Sequence, residues 1–169
     1  MPVINGREFA ESGGLVEGSA ALRGFARLCS LETLAERSGR IRYYVEGCKD
    51  AQGRAGLQVR LSGSLRLTCQ RCLEPMDFAL STDVWLGLAE TQAEIDAEPV
   101  TPDAPERLLA IQGMPVAELV EDELLLAMPY APRHEKCRSG AAADASQGDS
   151  PFGKLRALLA RDTSGPRRN

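Results

Sequence analysis

Apolar and polar residues alternate through the middle of the chain. Leu57, Val59 and Leu61 are separated by Gln58, Arg60 and Ser62, and Leu65 and Leu67 keep the same parity. A period of two sends one side of an extended backbone into a core and the other into water, so residues 57–69 predict one long half-buried strand, bent at Gly63. RIRYYVEGC, residues 40–48, predicts a partner strand across the loop KDAQGRAG. Beyond the turn CQRCLEP, Phe78, Leu80, Thr82, Val84, Leu86 and Leu88 resume the alternation as an antiparallel return strand, with Trp85 breaking the polar side. RLLAI at 107–111 predicts one further strand.

Helical spacing appears in three places. PVAELVEDELLLAM, residues 115–128, sets Val116, Val120, Leu124 and Ala127 on one stripe with Leu119 and Met128 beside it, starts at a first-turn proline and stops before Pro129 and Pro132. SLETLAERSG predicts a short helix capped by Ser30 and closed by Gly39. PFGKLRALLARD predicts a last helix, followed by the basic tail TSGPRRN. The acidic, proline-punctuated segment 89–106 reads as a mobile loop, and RSGAAADASQGDS as a flexible linker. The expected fold is α+β: a curved antiparallel sheet with a packed acidic helix, in one domain over 1–137, then a linker over 138–150 and a C-terminal helix and tail over 151–169.

A chain of 169 residues has room for one core. Its longest apolar run, Leu124–Met128, is far below the roughly 20 residues of a membrane span, and MPVINGREFAES has no apolar stretch of a secretory signal. A cytoplasmic location is expected. The net charge of −4 hides a division: residues 1–75 carry 11 Lys/Arg against 8 Asp/Glu, residues 76–150 carry 4 against 15, and residues 151–169 carry 5 against 1. With eight aromatics and an acidic balance, the chain is poorly suited to broad phosphate neutralisation or to stacking bases on an aromatic platform. A basic partner or a small basic patch fits better.

Cysteine spacing carries the clearest chemistry. Cys69-Gln70-Arg71-Cys72 and His134-Glu135-Lys136-Cys137 are two pairs with the same two-residue gap, separated by 61 residues. Two ligands on one tight turn can face a single ion, and a closed Cys3His set has the composition of a structural Zn2+ site rather than a catalytic one. The alternative is a thiol-redox or zinc-dependent enzyme using the CxxC pair. A thioredoxin-like pair, however, opens a helix within a βαβ unit, whereas this one stands between strands. Cys29 reads as a small core residue, and Cys48 has no nearby partner in sequence.

Other enzyme signatures are missing: there is one histidine, no GxSxG, no phosphate-binding Gly-Lys-Ser/Thr loop and no dinucleotide fingerprint. Glu118, Glu121 and Asp122 lie off the apolar stripe of their helix and read as a solvated or partner-facing surface. Arg60, Arg66 and Arg71, or Arg167 and Arg168 in the tail, are the candidates for phosphate contact.

LTCQRCLEP, an acidic interval, VAELVEDELLLAMPYAPRHEKC and then PFGKLRALL together resemble the YceD family, named for accumulation of large-subunit ribosomal RNA. The likeness covers about residues 55–160 and is most specific in the CQRC turn and the ELVEDELLLAMP helix. The resemblance implies a bacterial, cytoplasmic, non-enzymatic protein of ribosome biogenesis, and the charge map adds the expected partners, a large-subunit rRNA precursor or a basic ribosomal protein. It supplies no metal role, so zinc is inferred from the ligand pairs alone.

Overall fold

The computed structural model describes residues 1–98 and 106–137. The expected linker at 138–150 and C-terminal helix and tail at 151–169 lie outside the described residues. Chain order is β1 (Val3–Asn5), α1 (Gly6–Glu11), β2 (Leu15–Ala21), α2 (Ala26–Cys29), β3 (Arg40–Lys49), β4 (Ala55–Thr68), β5 (Pro75–Ala89), α3 (Gln92–Ala97), β6 (Arg107–Leu109), β7 (Gln112–Pro115) and α4 (Val116–Ala127). The fold is α+β, as expected, and residues Met1–His134 form one compact unit. Its main sheet is open, in the order β2-β3-β4-β5-β6, and β1 pairs with β7 in a separate two-stranded ladder.

The alternation read from sequence sets the two faces of this sheet. Leu57, Val59, Leu61, Leu65 and Leu67 of β4 are at most 1% exposed. They meet Ile41 and Val45 of β3, Leu80 and Leu86 of β5, and the α4 stripe Val116, Leu119, Val120 and Leu124 in one apolar core. β4 runs through Gly63 with unbroken register to β5, and its ladder with β3 ends there, so no β-bulge marks the position of the expected bend. At Gly47 a Cβ would run into the backbone of Phe9 and Ala10, which lets α1 lie directly on β3.

Three local expectations are corrected. Residues 31–39 form no helix. Ser30 instead closes α2, and the following segment runs beside the end of β4, where Ala35 N–H donates to Arg66 (2.8 Å), Thr68 N–H donates to Thr33 (2.8 Å) and Leu34 bridges Leu67. β4 extends past the start of β3, and burial of Leu34 with pairing of those exposed strand groups outweighs a weak helical pattern. The segment after β5 is not all loop, because Thr91 caps α3 by accepting from Glu94 N–H at 3.3 Å. Finally, β6 pairs parallel to β5, and Gln112–Pro115 is a strand rather than the helix start, leaving α4 to begin at Val116.

Glu123 of α4 is 5% exposed and has no ion pair or hydrogen bond among the described residues. Burial, then Glu106 and Asp122, hold its carboxyl above the ordinary 4.5. Its ionisation therefore costs stability that is intact below pH 4.5 and lost as the pH rises. Glu123→Gln is expected to raise the melting temperature by about 2–4 °C near neutrality, with the gain shrinking toward acid pH. Thermal melts of both proteins across pH test this, and a gain that grows toward acid would refute it.

Candidate metal centre

The turn between β4 and β5 is a tight knuckle. Cys69 N–H donates to Glu74 (2.9 Å), Leu73 N–H donates back to Cys69 (2.9 Å), and Leu73 closes the turn in the left-handed region at φ 62°. Folding back at once, the chain points Cys69 inward, 0% exposed, and leaves Cys72 half-buried on the turn. After α4, Pro129 and Pro132 stop helical hydrogen bonding, and the chain passes the knuckle, where Gln70 N–H donates to Pro132 at 2.8 Å. This contact sets His134 against Cys72, with Sγ and Nδ1 3.4 Å apart.

Cys137 follows His134 by three residues. One ligand atom from each of Cys69, Cys72, His134 and Cys137 lies within 4.8 Å of all the others. Tetrahedral zinc with Zn–S near 2.3 Å and Zn–N near 2.0 Å separates its ligand atoms by about 3.5–3.8 Å, so a small inward adjustment satisfies it. The four residues can hold one metal ion.

The electrostatics favour thiolate. Burial by itself would push the Cys69 thiol up, but backbone N–H groups of Cys72, Arg71 and His134, with the Cys72 thiol, outweigh it and bring the group from 9.0 down to about 5. Of these donors, Arg71 N–H stands 3.4 Å from Sγ. The five cysteines form no disulfide. Cys29 donates to the Leu22 carbonyl at 3.3 Å, and neither it nor Cys48 belongs to the cluster.

Among the described charged candidates, Glu121 is placed differently from its sequence reading. Glu118 and Asp122 are exposed, but Glu121 is buried at 7%. One Glu121 oxygen accepts from the backbone N–H groups of Arg27 (2.7 Å) and Leu28 (3.1 Å), and the other meets Arg27 Nε at 3.1 Å. Asp122 pairs with Arg27 at 2.5 Å. Arg60 and Arg66 lie on the polar face of β4, each beside a β5 carboxylate: Asp83 at 3.3 Å and Asp77 at 2.7 Å. Arg71 is exposed on the knuckle. Arg167 and Arg168 lie outside the described residues.

A family model described as large ribosomal RNA subunit accumulation protein YceD matches residues 57–159. The chain belongs to the YceD family. None of the curated proteins and none of the solved structures matches it. The YceD match opens within β4 and takes in all four candidate ligands, while Arg27, Arg40 and Arg42 precede it. Membership implies a role in accumulation of large-subunit rRNA, and YceD is a family of rRNA accumulation factors rather than of enzymes. Among the described residues, no helix of this YceD chain is long and apolar enough to cross a membrane.

Proposed function

We propose that the protein is a cytoplasmic, non-enzymatic factor of large-subunit rRNA accumulation whose fold is cross-linked by one structural Zn2+. The convergence of Cys69, Cys72, His134 and Cys137 carries this reading. Two ligands come from the β4–β5 turn and two from the chain beyond α4, so the ion would reinforce the contact between segments already joined by the hydrogen bond from Gln70 N–H to Pro132. Four protein ligands fill a tetrahedral shell and leave no position for substrate. A redox role for the CxxC pair fits less well, because Cys69, the sulfur with the lowered pKa, is wholly buried and a disulfide-exchanging thiolate needs access.

The partner that fits this reading best is rRNA rather than a basic ribosomal protein. Docking through Glu118, Glu121 and Asp122 loses Glu121 to an internal role and half-neutralises Asp122, which weakens the acidic surface. The test is genetic. Deleting the gene is expected to raise the ratio of precursor to mature large-subunit rRNA, with wild-type chain restoring it and the double variant Cys72→Ser/Cys137→Ser restoring it poorly. Unchanged rRNA on deletion would reject the rRNA role; full restoration by the double variant would reject a necessary metal.

A further inference from the structure

The sheet face opposite the core carries a second arrangement, whose β2 and β3 residues lie upstream of the family match. Alternation brings Ser19, Arg42, Ser62 and Ser81 into one row across β2, β3, β4 and β5, since Ser19 pairs with Arg42, Arg42 with Ser62 and Ser62 with Ser81. All four are exposed, as are Arg40 and Ser64 beside them. The next row holds Glu17, Tyr44, Arg60 and Asp83, with the Arg60 guanidinium over the Tyr44 ring at 5.0 Å and paired to Asp83. On the far side stands the pair Arg66–Asp77. The serines between these two ion pairs add little bulk, and the face opens into a depression of about 750 Å³ bordered by Arg42, Arg60, Ser62 and Ser81 with the carboxylates Glu17 and Asp83 at its edge, adjoining one of about 490 Å³, free of carboxylates, at Ser19, Arg40, Arg42 and Ser62.

The arginines here differ in what they have to spend. Arg60 and Arg66 each face a carboxylate one strand away, which cancels most of their charge. Among the described residues Arg40 donates only to Ser19, through Nε to the hydroxyl at 3.0 Å and NH2 to the carbonyl at 2.8 Å. Arg42 has no hydrogen bond or ion pair among the described residues. Two guanidinium groups without carboxylate partners therefore stand together over a floor of hydroxyls. Guanidinium forks match phosphate oxygens bidentately, and serine hydroxyls donate to the same oxygens or to ribose.

We infer that this face binds the ribose-phosphate backbone of single-stranded RNA, with Arg40 and Arg42 on neighbouring phosphates and Ser19, Ser62 and Ser81 as hydroxyl donors. The inference rests on the rRNA reading above and names its contact surface. Base stacking contributes little, because Tyr44 is already covered by Arg60 and its hydroxyl donates to Glu46 at 3.1 Å. Recognition is accordingly of backbone and not of sequence. It differs from the sequence expectation of Arg60, Arg66 and Arg71 by moving the charge one strand over, to β3.

The test is binding of the full-length protein to a fluorescein-labelled oligouridine of about 12 nucleotides, titrated at several salt concentrations. Arg40→Gln/Arg42→Gln is expected to weaken binding about tenfold or more at low salt and to flatten the slope of log affinity against log salt by about 1.4, two phosphates at roughly 0.7 each. Arg66→Gln/Asp77→Asn removes a balanced pair and should stay within about twofold of wild type. All four residues are exposed, so melting temperatures should not change. Failure of the wild-type chain to bind, equal affinity and slope in Arg40→Gln/Arg42→Gln, or complete displacement by millimolar inorganic phosphate would each overturn the proposal. The rRNA reading is judged separately in cells. A deletion that disturbs rRNA beside a chain that binds no RNA would reject the surface and keep the role.

Discussion

Replacing Cys69 by serine is expected to abolish binding of one equivalent of zinc and to lower the melting temperature by about 10 °C or more. Cys69 is the ligand most deeply set in the fold, wholly buried at the base of the knuckle with backbone N–H groups directed at its sulfur. Serine nearly preserves the volume but offers a hard, protonated oxygen that zinc accepts poorly, and the three remaining ligands leave the shell open. An ion held by these four residues would bind the folded chain far more tightly than the unfolded one, so its binding free energy would add to stability. A strong chelator should therefore lower the wild-type melting temperature toward that of the variant and leave the variant unchanged. Cys29→Ser, outside the cluster, should keep its zinc. Metal analysis and thermal melts with and without chelator decide the matter; a Cys69→Ser protein that retains zinc, or a wild-type chain that purifies without metal and resists reconstitution, would refute the centre.

The legible parts of this fold are those that depend on near neighbours in sequence. β4 and β5 are joined by a short turn, so each strand's alternation could be matched to the other, and both faces follow from parity alone. The ligand set was legible for a similar reason, since each pair sits within one turn and the matching gaps point to a common ion. Distant partners were not legible. Val3–Asn5 becomes a strand only because Gln112–Pro115 lies beside it, and nothing in VIN announces that pairing. The Ser30–Gly39 helix failed because Leu34 had a better place against Leu67. α3 did carry a signal in Thr91 and Glu94, spaced as an N-cap and a third-position acid, but the acidic, proline-bearing context obscured it. For Arg40 and Arg42, alternation put both on the polar face, whereas their lack of carboxylate partners appears only when β2 and β4 are laid alongside.

Glu121→Ala is expected to destabilise the chain by about 3 kcal/mol, more than a typical exposed helix position by several fold. On the helix, Glu121 lies beside the apolar stripe, and an isolated α4 would expose it. Packing of α2 against α4 encloses it, leaving a side chain 10% exposed that stands at the first turn of α2 and takes the N–H groups of Arg27 and Leu28. A single turn of helix from Ala26 to Cys29 has no side-chain cap of its own, because Phe25 holds the N-cap position. Alanine would strand those two donors and leave a cavity between the helices. Glu121→Gln keeps one carbonyl oxygen for both donors and should cost about 1 kcal/mol. Arg27→Ala removes only a half-exposed partner and should cost a fraction of the alanine loss at Glu121, which separates capping from ion pairing. Urea unfolding of the three variants, with the Arg27→Ala/Glu121→Ala double variant to close the cycle, gives the partition. Equal losses for Arg27→Ala and Glu121→Ala would show the ion pair to be the whole effect and would overturn the capping role. The expected order, Glu121→Ala well above Glu121→Gln and Arg27→Ala, would place Glu121 among the residues that hold the N-terminal segment to the helix shared with the YceD family, rather than on a docking surface.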